Sequence, residues 1–115
     1  MELTIEVPFC AALRLPNLEG PCQRLHGHDY RLAVTVRGSP DPQTGAIVDF
    51  LSLRRTVEEL VVAKLDHRLM NEVIENPTAE HLVVWIWSRL KDAIPSLSAL
   101  QLWESPQYSV TYRGD

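Results

Sequence analysis

The order in which two hydrophobic periodicities occur along the chain constrains its fold more than any other feature. Apolar residues alternate with polar or small ones in four stretches, a pattern typical of half-buried β-strands: 3–9, 30–36, 100–103 and 108–112. Between the second and third stretches, apolar residues recur every three or four positions over 50–65 and again over 78–93, which predicts two amphipathic helices. The predicted order is strand, strand, helix, helix, strand, strand.

This order predicts an α+β fold, in which a four-stranded antiparallel sheet carries two helices on one face. Asp49 and Thr78 stand where the helices begin and are suitable N-caps. The 115 residues form one predicted domain, 1–115. Because an open four-stranded sheet exposes unpaired edges, we also expect it to associate with copies of itself.

Composition excludes several classes of function. The net charge of −4 argues against a general nucleic-acid or membrane-surface binder, and no apolar run approaches the length of a membrane span. The first residues enter a strand pattern directly and lack the layout of a signal peptide. We therefore expect a cytoplasmic protein in which Cys10 and Cys22 remain free thiols.

The segment Cys22-Gln23-Arg24-Leu25-His26-Gly27-His28 carries the strongest chemical signal. Side chains two residues apart on a strand point the same way, so His26 and His28 can offer two nitrogens to one zinc ion. The alternative is that backbone carbonyls satisfy both imidazoles. A zinc site also requires a third protein ligand, whose origin is the main difficulty with this sequence.

Other candidates each allow a functional and a structural interpretation. Cys22 is either a buried apolar residue or, beside a metal, a thiolate base. Asp66 and His67 are either an exposed charged pair or a carboxylate that orients a proton-shuttling imidazole.

Glu104 continues the inward parity of the third strand, where an acid is unfavourable unless it is paired. It is either solvated at the strand end or accepts two adjacent N–H donors from a ligand such as a pterin, a guanine or an arginine. His81 falls in the first turn of the second helix and is expected to be an exposed helix residue rather than a ligand.

Taken together, seven segments in order along the chain resemble the 6-pyruvoyl-tetrahydropterin synthase superfamily, and more closely its bacterial 6-carboxy-tetrahydropterin synthase branch of the queuosine pathway. The three-residue gap between Cys22 and His26 favours that branch. The segments are Phe9-Cys10-Ala11-Ala12-Leu13-Arg14-Leu15-Pro16, Cys22-x-x-x-His26-Gly27-His28, Gly45-x-x-x-Asp49-Phe50, Leu65-Asp66-His67-x-x-x-Asn71, Glu75-Asn76-Pro77-Thr78-x-Glu80, Trp85-Ile86-Trp87 and Tyr112-Arg113-Gly114.

The resemblance implies a tunnelling fold (T-fold), in which three subunits join their sheets into a barrel and two trimers form a homohexamer with active sites at the interfaces. It also implies conversion of 7,8-dihydroneopterin triphosphate to 6-carboxy-tetrahydropterin, with release of acetaldehyde and triphosphate. Arg14, Arg24 and Arg31 are candidates to meet the triphosphate, although each is equally interpretable as a solvated surface residue.

By the same resemblance, zinc is bound by His26, His28 and a third histidine from the first strand. Cys22 is the thiolate base, and Asp66 with His67 is its partner dyad. Glu104 anchors the pterin ring, while Thr78 and Glu80 belong to a substrate-binding motif at the start of the second helix.

The chain departs from the family pattern at one position, because Leu13 replaces the histidine of Phe-x-Ala-Ala-His. Three explanations remain open. The chain is an engineered ligand knockout, or it is a natural paralogue with lost or changed chemistry, or Cys22 or a carboxylate replaces the missing ligand. We expect weakened zinc binding unless the loss is compensated. The rival functions are a catalytically silent pterin-binding module, a 6-pyruvoyl-tetrahydropterin synthase and an oligomerisation scaffold.

Overall fold

The computed structural model describes residues 1–115, and its elements follow the predicted order. The sheet has the order β1-β2-β3-β4, and every neighbouring pair is antiparallel. The α+β prediction is therefore confirmed. The elements are β1 (Glu2–Leu13), β2 (His26–Arg37), α1 (Phe50–Val57), α2 (Ala63–Leu65), α3 (Ala79–Leu90), β3 (Leu97–Ser105) and β4 (Tyr108–Tyr112).

One face of the sheet carries the hydrophobic core. Alternate residues of each strand project from this face and pack against the helices, as the two-residue period requires. The opposite face is more polar; there, for example, Thr4 and Thr35 share a hydrogen bond of 2.7 Å between their hydroxyls. The strand side chains of the core include Val7, Phe9, Tyr30, Leu32, Val34, Leu100 and Leu102.

The first predicted helix is interrupted. Asp49 caps α1 as expected, because its Oδ2 accepts a hydrogen bond of 2.8 Å from the backbone N–H of Ser52. A π-helical segment, Glu58–Val62, then joins α1 to α2, whereas the periodicity predicted one regular α-helix through residue 65. The spacing of three or four residues does not distinguish the two forms, because Leu53, Val57, Val61 and Leu65 are spaced by four and are buried on both sides of the wider turn.

The second long helix, α3, is shorter than predicted. Thr78 is its N-cap, as expected, and accepts a hydrogen bond of 3.1 Å from the backbone N–H of His81. The helix ends at Leu90, so Ala93 lies outside it and is exposed rather than part of its apolar face. Pro95 disfavours continuation of the helix beyond this point. No helix in the structure has both the length and the apolar character that spanning a bilayer would require.

The segment that follows α2 pairs with the outer edge of β1. The backbone N–H of His67 donates to the carbonyl of Cys10 at 2.7 Å. The Asn71 side chain accepts from the Arg14 N–H at 2.8 Å and donates to the Arg14 carbonyl at 3.0 Å. This segment therefore covers the end of β1 and places the Asp66–His67 pair beside it, whereas β4 has no strand on its outer side.

Candidate active site

The two histidines of β2 lie on the core face, at the end of the sheet. Leu13 is directly opposite His26 and Ala11 is directly opposite His28 in the β1–β2 ladder. Opposed residues of an antiparallel pair project from the same face, so both imidazoles continue the row of side chains that begins with buried Tyr30. The strand is regular back to His26, which is the condition under which the sequence predicted two imidazoles on one side.

The backbone fixes the tautomer of His26. Its Nδ1 lies 2.7 Å from the carbonyl oxygen of Arg24, and a carbonyl only accepts, so Nδ1–H is the donor. The lone pair of a neutral His26 is consequently on Nε2. Metal-binding histidines commonly hold their second ring nitrogen in this way. The ring of His28 stands edge-on to it, with centroids 5.1 Å apart.

Glu104 reaches the same two imidazoles from β3. Its Oε1 lies 2.7 Å from Nε2 of His28, and its side chain is 29% exposed. Although this contact is short, the buried Nε2 of His28 makes no hydrogen bond. The inward orientation that strand parity predicted for Glu104 is therefore observed. Burial, and secondarily the Glu104 charge, raise the pKa of neighbouring Tyr30.

Ligand atoms from these three residues lie close enough together to hold one cation. A nitrogen from each of His26 and His28 and an oxygen from Glu104 all lie within 4.8 Å of one another. Two imidazoles and a carboxylate are a donor set that suits a divalent transition metal. The buried, unpaired Nε2 of His28 fits this group as well, because coordination would satisfy it.

Leu13 is the residue at which the family resemblance predicts a third histidine. Its side chain is only 1% exposed and packs in the core. It lies across the ladder from His26, so the position is geometrically suitable for a ligand but the side chain has no donor atom.

Cys22 lies at the rim of a hollow that contains these groups. It belongs to a short 3₁₀ turn, Gly20–Gln23, and is half-buried against the core. The hollow measures about 390 Å³, a volume suited to a small heterocyclic ligand. Its lining residues are Pro21, Cys22, His26, His28, Glu104, Ser105 and Tyr108.

Ser105 is a member of this hollow that no sequence pattern pointed to. Its hydroxyl oxygen is buried and has no hydrogen-bond partner. A buried polar atom without a partner is rare and unfavourable, so this hydroxyl and Nε2 of His28 are two groups at one hollow that a polar ligand would satisfy. Only the β3–β4 geometry reveals it, because a serine before a proline is ordinary turn composition.

The Asp66–His67 pair forms a second cluster, and its thiol partner within the subunit is Cys10. Oδ2 of Asp66 accepts from Nδ1–H of His67 at 2.9 Å, and Nε2 of His67 lies 3.7 Å from the sulfur of Cys10. The carboxylate also accepts from the backbone N–H of Cys10 at 3.0 Å. The predicted dyad is therefore assembled as a pair, but Cys22 is not part of this cluster.

The electrostatics of this cluster keep Asp66 ionised and Cys10 protonated. The backbone N–H of Cys10, followed by the His67 side chain, lowers the pKa of Asp66. Burial, followed by the Asp66 charge, raises the pKa of the Cys10 thiol. The cluster borders a second, open hollow of about 510 Å³, which shares His28 with the first and to which Arg68 and Asp29 also contribute. The sequence predicted Cys10 only as a free thiol and contained no pattern that pointed to Arg68.

The remaining predicted residues lie away from both hollows. Thr78 acts as the N-cap of α3, and Glu80 is exposed in the first turn. Nδ1 of His81 lies 2.8 Å from the carbonyl of Asn76, in keeping with its predicted structural role. None of the three arginines suggested for the triphosphate lines either hollow. The guanidinium of one of them, Arg31, instead lies 3.9 Å above the Trp103 ring.

Comparison with known proteins identifies the class. The family model described as 6-pyruvoyl tetrahydropterin synthase matches residues 2–115. A 6-carboxy-5,6,7,8-tetrahydropterin synthase from Synechocystis is 35% identical over 114 residues, which cover 93% of this chain and 88% of the relative. A dihydroneopterin monophosphate aldolase from Pyrococcus furiosus is 38% identical over 91 residues, covering 76% of this chain and 77% of the relative.

The fold agrees with these matches. The 6-pyruvoyl tetrahydropterin synthase of Caenorhabditis elegans superposes with a TM-score of 0.90 at 27% identity, covering 100% of this chain and 96% of that one. The molecule is thus a pterin-processing type of protein built on a T-fold. The chain belongs to the 6-pyruvoyl tetrahydropterin synthase family.

Proposed function

We propose that the chain is a zinc-dependent lyase that converts 7,8-dihydroneopterin triphosphate to 6-carboxy-tetrahydropterin, with release of acetaldehyde and triphosphate. The observation that carries this proposal is the hollow in which Glu104, His26 and His28 converge beside a thiol. The Synechocystis relative, which covers most of the chain, bears the name of this activity.

His26 and His28 would hold the zinc ion, and a zinc ion there supplies Lewis acidity that favours ionisation of hydroxyls on the substrate side chain. Cys22, at the rim of the same hollow, would move protons to and from the side-chain carbons. Glu104 would accept N–H bonds from the pterin ring and so position the side chain over the thiol.

The Asp66–His67 dyad would act on a neighbouring subunit. Within one subunit it is not grouped with Cys22, yet the His67 side chain is 77% exposed and stands beside the edge strand β1. A homohexamer with sites at its interfaces would bring this imidazole to the hollow of an adjacent copy. Thr78 and Glu80 would likewise contribute to a pterin site only across such an interface. Because both cysteines are free, we also propose a cytoplasmic location.

Aldol cleavage of dihydroneopterin monophosphate is a second candidate. The observation that favours it is the aldolase from Pyrococcus furiosus, which is 38% identical over 91 residues of this chain. Formation of the 6-pyruvoyl product and silent pterin binding are the further alternatives.

The deciding experiment is product analysis after incubation of the zinc-loaded protein with each phosphate ester. We expect acetaldehyde and 6-carboxy-tetrahydropterin from the triphosphate, and a loss of about 100-fold in Cys22→Ser. Product from the monophosphate alone would favour the aldolase, and pterin binding without product would indicate a silent module.

A matched pair of variants tests whether the chain is only a scaffold. Glu104→Gln should weaken pterin binding to the metal-free protein, whereas Glu72→Gln removes an exposed carboxylate that lines neither hollow and should not. Equal pterin binding by both variants would contradict the role of Glu104 as the ring anchor.

A further inference from the structure

We propose that Glu104 is the third protein ligand of the metal site, so that His26, His28 and Glu104 replace the three-histidine set that Leu13 makes impossible. The inference deepens the proposed function, since it rests on a metal being bound at the two histidines. It changes the donor set from three nitrogens to two nitrogens and one oxygen.

The distances favour coordination. Oε1 of Glu104 lies 2.7 Å from Nε2 of His28, and the three donor groups lie within 4.8 Å of one another. Ligands held at about 2.0–2.2 Å from a tetrahedral ion are about 3.3–3.6 Å apart. The Glu104 carboxylate would therefore move outward by about 0.6–0.9 Å to admit an ion, a shift within the reach of side-chain torsions.

The unpaired ring nitrogen points the same way. Nε2 of His28 is buried and makes no hydrogen bond, although Oε1 of Glu104 lies only 2.7 Å away. An imidazole nitrogen and a carboxylate oxygen are both metal ligands, so a cation bound at this contact would satisfy both atoms. An apolar neighbour such as Leu13 cannot do so.

Cys22 is the competing replacement ligand, and the geometry disfavours it. Its residue lines the hollow, but its sulfur belongs to neither group of potential metal donors within 4.8 Å. With Glu104 as the ligand, Cys22 remains available for proton transfer. Three protein ligands also leave one position open for substrate oxygens, as catalytic zinc sites require.

The consequence for the substrate concerns the second carboxylate oxygen. Coordination by Oε1 leaves Oε2 to accept a single N–H from the pterin ring, where an uncoordinated carboxylate could accept two. Ring binding and metal binding would therefore share one side chain. An oxygen ligand also makes the site more tolerant of Mn²⁺ or Fe²⁺ than three imidazoles would be.

The test is metal affinity, measured by competitive titration of the purified, metal-free full chain with Zn²⁺ and Co²⁺. We expect Glu104→Gln to weaken binding at least tenfold and Cys22→Ser to change it less than twofold. Adding Leu13→His to Glu104→Gln should recover most of the lost affinity. Circular dichroism of each variant verifies that it remains folded.

The Co²⁺ complex of the parent protein supplies a second readout that does not depend on the Glu104 variant. We expect weak visible d–d bands without the intense near-ultraviolet band that a thiolate ligand produces. A thiolate band that disappears in Cys22→Ser, or unchanged affinity in Glu104→Gln, would overturn the inference.

Failure of the inference is distinguishable from failure of the proposed function. If Glu104→Gln binds metal as tightly as the parent while the parent forms 6-carboxy-tetrahydropterin, the function stands and the ligand assignment is wrong. If metal binding depends on Glu104 but no pterin ester is turned over, the assignment stands and the proposed reaction is wrong.

Discussion

Leu13 and His26 lie directly opposite each other in the β1–β2 ladder and project from the same face of the sheet. The leucine is buried in the core, while the imidazole stands at the edge of the ligand hollow. One side of this pair can therefore bind a metal and the other cannot. A metal bound at His26 would therefore have to take its third protein ligand from another element.

Leu13→His should convert the site to three histidines. In the metal-free protein we expect a loss of stability of about 2 kcal/mol, because a polar ring replaces a buried apolar side chain. Zinc should reverse this loss, since an ion that binds only the folded state stabilises it. Thermal melts with and without zinc measure both effects, and turnover of dihydroneopterin triphosphate should rise in parallel. If turnover and the stabilisation by zinc were the same in Leu13→His as in the parent, Leu13 would not be the residue that weakens the metal site.

Gly27→Ala should disturb the spacing of the two imidazoles. A β-carbon at Gly27 would lie 3.2 Å from the carbonyl oxygen of Ala11, which is backbone and can retreat only if β1 and β2 separate. We expect a destabilisation of about 1 kcal/mol and weaker metal binding. Gly38→Ala is the matched control, because its β-carbon would meet the flexible Ile47 side chain at the same 3.2 Å, and metal affinity should not change.

Ser105→Ala should separate ligand binding from stability. The Ser105 hydroxyl is buried without a partner, so its removal should leave the free energy of unfolding unchanged or slightly increased. If the hydroxyl bonds the pterin, affinity should fall about fivefold, which corresponds to one hydrogen bond of about 1 kcal/mol. Chemical denaturation and pterin titration of the same sample test the two effects. Lower stability with unchanged pterin affinity would show that the hydroxyl is structural.

Asp66→Asn should remove part of the dependence of stability on acid pH. Hydrogen bonds from Cys10 and His67 depress the pKa of Asp66 in the folded state. Its contribution is therefore complete above the unfolded-state pKa and is lost as the pH falls through the lower, folded-state pKa.

Urea denaturation of both proteins between about pH 6 and pH 2 measures the difference. We expect the parent to be the more stable protein at pH 6 and the two curves to converge at the acid end. Because Glu2 and Asp41 also have depressed pKa values and are present in both proteins, only the difference between the curves reports on Asp66. A constant difference across this range would contradict the assignment.

The amino-acid sequence by itself determined the architecture and the histidine pair of the candidate site. Strand and helix periods depend on local side-chain geometry, so the order of elements, the N-caps Asp49 and Thr78 and the shared face of His26 and His28 were all predictable. The expectation that Leu13 departs from the family pattern also came from the sequence alone.

The tertiary structure decided which side chains meet. Glu104 is far from His28 along the chain, and only the pairing of β2 with β3 brings their atoms within 2.7 Å. Cys10 joins Asp66 and His67 because the segment after α2 hydrogen-bonds to the edge of β1. Periodicity specifies the face from which a residue projects but not its neighbours across strands, because register and edge pairing depend on contacts between distant segments.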